Sequence, residues 1–370
     1  MPSKKPVVKK KAAAKPRAAS CYVCRQPTLT LDLALQGGGA HGAFTWGVLD
    51  RLLEEEDIRI QAISGTSAGA MNAAVLVDGY HEGGREKAKA QLHQFWYEIA
   101  KVGSAFSPLG SFKGEHHKLK IPGMDWLSTF NPLDMMTRVF SPYEYNPLNY
   151  NPLRQVLEHV LDEPHLNDDI KLYIAATNVE TGEARIFRGA EVTVDVLMAS
   201  ACLPFSYQAV EIDGVPYWDG GYMGNPAIWP LIYNTGCHDV LLVQINPLTR
   251  AGTPKSAMDI INRVNEISFN SSLIAEMRAI NFVRKLIREG KLDANEYAEM
   301  RMHRVLPPEN FAAMNAASKM NTSWEFFQLL HRAGRAQMED WLKENKQHIG
   351  KKSTLDIQAE ILPRPSRLAK

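Results

Sequence analysis

The chain has 370 residues, of which 45% are hydrophobic and 22% charged, with a formal net charge of +1 at pH 7. That length buries one large core or two, the composition excludes a disordered or collagen-like chain, and near-neutrality gives no global reason to expect specific nucleic acid as a partner. No stretch approaches the roughly 18 uninterrupted apolar residues of a membrane span.

The charge is nonetheless uneven. Lys4, Lys5, Lys9, Lys10, Lys11, Lys15 and Arg17 crowd the start of the chain with no acidic residue among them. Residues 1–27 read as a disordered basic tail, either a solvated arm or a peripheral contact, through residues 4–17, with an anionic membrane or granule surface. The tail lacks the apolar centre of a secretory signal, so a cytoplasmic location is expected. Cys21 and Cys24 have metal-ligand spacing but no second pair follows, while Cys202 and Cys237 lie in apolar surroundings and read as core thiols. No metal and no cofactor are expected.

From Leu29 to Gln36 the pattern is that of a strand. It ends in Gly37-Gly38-Gly39-Ala40-His41-Gly42, after which Phe44, Val48, Leu49, Leu52 and Leu53 recur at helical steps. Successive glycines let backbone N–H groups converge at a helix N-terminus, as a phosphate cradle or an oxyanion hole requires. Gly37, Gly39 and Gly42 fit a dinucleotide fingerprint, but the acidic residues about 20 positions on, Glu54 to Asp57, close a helix and not the next strand. An oxyanion hole formed by Gly37, Gly38 and Gly39 is the better reading.

A second strand, turn and helix follows in Ile58 to Leu76, with Gly65-Thr66-Ser67-Ala68-Gly69 at the turn. This is the G-x-S-x-G nucleophile elbow, whose glycines Gly65 and Gly69 leave a strained serine, Ser67, exposed at the carboxyl edge of a sheet. A long helix is expected from Arg85 to Lys101. Residues 102–151, rich in Pro, Met and aromatics, read as a lid over an acyl chain or as an irregular insertion packed on the core.

Regular structure resumes with a helix at Leu153–Leu161, a strand at Ile170–Ala176 and a helix around Val192–Ala201. Asp213-Gly214 then marks a hairpin that delivers Asp219 to Gly220-Gly221, where a carboxylate can lean on backbone N–H groups. His238 opens another apolar strand, Val240 to Ile245. A helical stripe from Ile260 to Ile287 is expected to pack on the core, and further helices at Pro308–Met320 and Ser323–Asn345 precede a tail from 348.

The three glycine-bearing stretches, GGGAHG at Gly37–Gly42, GTSAG at Gly65–Gly69 and the run ASACLPF to YWDGGYMGNP with Asp219-Gly220-Gly221, occur in the order found in patatin-like phospholipases, which the sequence strongly resembles. The resemblance covers roughly Leu29 to Ile245. It implies a three-layer α/β/α fold with a mostly parallel sheet, here followed by a helical C-terminal extension, and a calcium-independent lipid acyl hydrolase of the phospholipase A or lysophospholipase type. The implied pair is Ser67 as nucleophile and Asp219 as general base, with Gly42, Gly65, Gly69, Gly220 and Gly221 supporting the motifs. His41 departs from the Arg or Lys usual in the family's glycine loop and reads as a loop or substrate-contact residue with no proton-transfer role. It also revives a Ser-His-Asp triad, but His238 precedes its strand, and His303 and His331 fall in the expected helical tail.

The expected organisation is a catalytic domain over 28–250, a helical extension over 251–347 packed upon it, and a tail over 348–370. The expected substrate is a phospholipid or another hydrophobic ester. A storage-polyester depolymerase or other carboxylesterase with the same pair, and a non-catalytic scaffold, are the alternatives.

Overall fold

The computed structural model describes residues 29–105, 140–161, 170–250, 252–255, 257–312, 314 and 316–362. The basic tail, the Cys21–Cys24 pair, residues 106–139 of the lid segment and the chain after 362 lie outside them.

Strand β1 (Leu29–Leu35) passes through the glycine turn into α1 (Gly42–Leu52), and β2 (Ile58–Gly65) turns at Ser67 into α2 (Ala68–Ala105). Helix α2 breaks where Gly83 and Gly84 leave helical geometry, so the two helices expected there join end to end. Then come α3 (Pro142–Tyr145), α4 (Pro152–Val160), β3 (Lys171–Asn178), β4 (Ala184–Arg188) and α5 (Val194–Ser200). The hairpin β5 (Val210–Ile212) and β6 (Val215–Asp219) is followed by α6 (Trp229–Asn234), β7 (Asp239–Val243), α7 (Ala257–Arg288) and β8 (Arg301–Val305). Finally come α8 (Glu309–Ala312), a 3₁₀ turn at Ala316–Met320, α9 (Trp324–Asn345) and α10 (Ile357–Glu360).

Among the described residues the strands form one eight-stranded sheet. Strands β3, β2, β1, β7 and β8 run parallel in that order, while β4, β5 and β6 join antiparallel at one side. Alternation within the strands sends Leu31, Leu33 and Leu35 to one face, under α1, α2, α4, α5 and α9, and Ala34 to the other, under α6, α7 and α10. Both faces are thus covered, as a parallel sheet requires. The result is the three-layer α/β/α fold.

One detail of register places the site. Tyr173 and Ile174 of β3 pair with β2 on one side and β4 on the other, while Ala176 pairs with β4 and with Asp219. Strand β6 therefore occupies the lane of β2 beyond the point where β2 stops at Gly65. The two strands meet head-on, one ending near Ser67 and the other at Asp219.

Four expectations for the C-terminal part are corrected. The sheet continues into it through β8, whose His303 and Arg301 side chains bond Asp239; its polar sequence hid the strand. Only half of the apolar stripe on α7 packs. Leu273, Met277 and Ile280 are buried, but Ile260, Val264 and Ile267 stand 45%, 55% and 54% exposed, because Glu266 and Phe269 take the inward positions of that half. The helix expected over 308–320 is interrupted into α8 and the 3₁₀ turn. Residues 348–362 are no free tail: Thr354 and Leu355 N–H groups bond the Met302 carbonyl, and Leu355, Ile357 and Ile361 are buried.

Helix α9 crosses α1 at a pair of glycines. A Cβ at Gly334 would lie 2.1 Å from the Phe44 carbonyl oxygen, and one at Gly47 would lie 2.0 Å from that of His331. Ala favours a helix over Gly by about 1 kcal/mol, but backbone on both sides leaves nothing that can yield, and overpacking costs about 1–3 kcal/mol. Gly334→Ala is therefore expected to lower the denaturant midpoint despite its better helix propensity; an unchanged or raised midpoint would contradict this close crossing.

Candidate active site

Ser67 sits where β2 gives way to α2, with φ of 53°, in the left-handed region that a non-glycine residue adopts only when its surroundings hold it there. Those surroundings are explicit. Its N–H donates to Ser200 Oγ at 2.9 Å, its carbonyl accepts from Met71 N–H at 3.0 Å, and the Thr66 hydroxyl donates to the Gly224 carbonyl at 2.7 Å. A Cβ at Gly69 would meet the Leu35 carbonyl oxygen at 2.2 Å, so the elbow closes only over a residue without a side chain.

Asp219 ends β6. Its N–H donates to the Cys202 carbonyl at 2.8 Å and its own carbonyl accepts from Thr177 Oγ1 at 2.8 Å, which fixes the backbone on both sides. The carboxylate accepts the Gly221 N–H at 2.7 Å, and the Ser67 side chain lies within hydrogen-bonding reach. Gly220 lies so close to β3 that a Cβ there would be 2.1 Å from the Ala175 carbonyl oxygen. With 2% of its surface exposed, Asp219 is almost wholly desolvated, and burial lifts its pKa from 3.8 to about 7 against the opposing pull of Gly221 and Ser67. An aspartate near 4 is a feeble base; one near 7 is matched to proton transfer at neutral pH.

The glycine loop lies directly over the serine, since a Cβ at Gly37 would fall 2.6 Å from Ser67 Cβ. Gly37 is held from both sides: its N–H donates to Asn225 Oδ1 at 2.7 Å and its carbonyl accepts from Asn246 Nδ2 at 2.6 Å. Its N–H is therefore taken, and the oxyanion reading narrows to Gly38 and Gly39, for whose N–H groups no partner is found among the described residues. Gln36 organises both asparagines, donating to the Asn225 carbonyl and accepting from the N–H groups of Ile245 and Asn246.

His41 follows this loop but faces the C-terminal part of the chain, with Nε2 2.7 Å from Ser318 Oγ. Burial first, then the charges of Lys319 and Arg250, lower its pKa to about 4 in spite of Glu266, so the ring is neutral at pH 7. His238 is exposed at the opposite edge of the sheet. His303, in β8 and not a helix, bonds Asp239 and Thr354, and His331 bonds Asp50. Ser67 and Asp219 are thus brought together, and among the described residues no histidine bonds the Asp219 carboxylate. Cys202 and Cys237 are buried, and burial raises both thiols to about 12. No group of three or more His, Cys, Asp or Glu among the described residues could hold a metal ion, and no described helix is long and apolar enough to cross a membrane.

Sequence reasoning missed Ser200, Asn225, Asn246 and Lys319. Asn225 lies inside the quoted GNP run and Asn246 just past the strand opened by His238, so position at a strand's carboxyl end was their available signal. Lys319, about 250 residues from the elbow, had none.

A family model described as patatin-like phospholipase matches residues 33–232. Among solved structures, a crystal structure of VipD from Legionella pneumophila aligns with a TM-score of 0.39 and 14% identity, covering 86% of this chain and 67% of that one. A search of curated proteins gave no match.

The raised pKa has a sign that stability can read. The folded state holds its proton to about pH 7 and the unfolded state releases it near 3.8, so stability falls as pH rises between those values. Asp219→Asn keeps the shape and removes the buried charge. It is expected to be more stable than the parent by about 1–4 kcal/mol at pH 8, with the gain vanishing toward pH 4; a denaturation series showing no pH-dependent gain would place the carboxylate in water.

Proposed function

The chain belongs to the patatin-like phospholipase family, whose general activity is lipid acyl hydrolysis, and on that premise we propose that it is a serine hydrolase of the phospholipase A or lysophospholipase type, working through Ser67 and Asp219. The observation that carries the reading is the meeting of a strained serine with a desolvated carboxylate at the end of the β2 lane.

In this reading the Ser67 Oγ–H bond breaks as Oγ bonds the acyl carbonyl carbon, and Asp219 takes the proton. The carbonyl electrons move to its oxygen, which the N–H groups of Gly38 and Gly39 receive; such a donor contributes about 3 kcal/mol. Collapse expels the alkoxide, which takes the proton from Asp219 and leaves an acyl-enzyme. Water then gives its proton to Asp219 and attacks the acyl carbon, and release of the fatty acid returns the proton to Ser67.

A hydrophobic ester as substrate is supported by apolar side chains on elements that touch the site. Met223 follows the Asp219 turn, Met320 follows the residue packed on Gly39, and Ile267 precedes the helical turn that places Phe269 on Gly221; all three are exposed. Cytoplasmic location and contact of residues 4–17 with an anionic surface accompany the proposal.

Mass-spectrometric analysis of mixed phospholipid vesicles incubated with the protein and with Ser67→Ala tests the activity. Free fatty acid and lysolipid from the parent alone are expected; release by both proteins, or by neither, would contradict the reading. On a soluble ester, kcat/KM should fall tenfold per pH unit below about 7. Asp219→Asn should lose about 10³-fold or more. A limb near 4, or substantial turnover by Asp219→Asn, would remove Asp219 as the base.

A further inference from the structure

Against the glycine loop, on the side facing the C-terminal part of the molecule, a partly buried polar chain runs to the peptide that follows Gly37. Arg250 grips Glu266 with Nε and Nη2 at 2.8 and 2.9 Å. Glu266 accepts from Lys319 Nζ at 3.2 Å, Lys319 donates to Asn246 Oδ1 at 2.9 Å, and Asn246 Nδ2 donates to the Gly37 carbonyl at 2.6 Å. The same segment touches the loop twice more: a Cβ at Gly39 would lie 2.6 Å from the Lys319 carbonyl oxygen, and Ser318 Oγ bonds His41.

The chemistry of these groups gives the chain a direction. An asparagine amide can face either way, donating from one end and accepting at the other, whereas a lysine only donates. Lys319 therefore holds Asn246 with Oδ1 toward itself and Nδ2 toward Gly37, the sense that a longer bond from Nδ2 to Gln36 Oε1 at 3.3 Å also favours. The peptide joining Gly37 to Gly38 is planar and trans, so its carbonyl and its N–H point in opposite directions. Drawing the Gly37 carbonyl down onto Asn246 turns the Gly38 N–H away from it, to the other side of the loop. Asn225 holds the preceding peptide through the Gly37 N–H, so little freedom remains.

We propose that Lys319 is a positioning residue for the acyl-transfer step: by orienting Asn246, it aims the Gly38 N–H at the developing oxyanion, making the 316–320 segment a working part of the site. This rests on the hydrolase reading above. Lys319 touches no reacting atom, and its removal leaves Glu266 still paired with Arg250 and Arg263, so the fold has no newly unpaired buried charge.

The test compares Lys319→Met and Lys319→Gln with the parent on a soluble ester, alongside amide hydrogen exchange of peptides covering 36–42. Misdirecting an oxyanion donor acts on the transition state more than on ground-state binding. Lys319→Met is expected to lower kcat about 10–100-fold with KM within about twofold, and to speed exchange in the loop. Lys319→Gln, which can still donate to Asn246, is expected to recover much of kcat. If Lys319→Met does not fold, Asn246→Asp replaces it: the carboxylate keeps Lys319 but cannot donate to the Gly37 carbonyl, and the same loss of kcat is expected.

A kcat within about twofold of the parent in the folded variant, a loss carried by KM instead, or unchanged loop exchange would overturn the proposal. Ser67-dependent turnover in the parent upholds the hydrolase reading whatever the Lys319 variants do. If the parent were inactive on every ester, that reading would fall, and the exchange measurement alone would decide whether Lys319 orders the loop.

Discussion

Removing one carboxylate from water is the constraint on which the site depends. Asp219 can be buried because β6 runs into the lane that β2 vacates, so its last residue arrives under cover of the sheet and beside the first turn of α2. Its neighbours offer it the Gly221 N–H and the Ser67 hydroxyl, enough to hold its direction but too little to replace full hydration. The deficit appears as a raised proton affinity. In the proposed reaction, the same burial that weakens the fold above neutral pH would suit the group to take a proton there, a conflict between stability and activity common at catalytic sites.

The second requirement is backbone proximity. The loop after β1 can lie on Ser67 only without side chains at Gly37 and Gly69, and it is then held by side chains from elsewhere: Asn225 after β6, Asn246 after β7, and Lys319 before α9. Each stands near the carboxyl end of a strand or is packed against that edge, where parallel sheets gather their functional groups. The part of the chain beyond residue 250 is accordingly no appendage. It contributes the edge strand β8, the glycine-paired helix α9 and the underside of the glycine loop.

Much of this was legible in the sequence because local rules agreed. The strands ending at Leu35 and Gly65, the helices that follow them, the hairpin at Asp213-Gly214 and the helix from Trp324 to Asn345 all carry periodicity, turn residues or caps. So did Ser67, Asp219 and the three glycine turns. What stayed hidden depends on tertiary partners. The sequence RMHRV of β8 is a strand because Arg301 and His303 find Asp239; nothing in its own pattern says so. The apolar stripe on α7 reads from sequence as uniformly inward, but the need to bury Glu266 against Arg250 and Lys319 turns half of it out. That the Gly37 N–H is occupied follows from an asparagine 188 positions away, a distance over which no motif speaks.

The most direct test of the account is a crystal structure of the protein after reaction with a long-chain alkyl fluorophosphonate, whose tetrahedral adduct imitates the acyl-transfer transition state. The account predicts phosphorus bonded to Ser67 Oγ, its charged oxygen facing the N–H groups of Gly38 and Gly39, and Asp219 beside the ester oxygen. An adduct on another residue, or one whose oxygen turns away from the glycine loop, would contradict it.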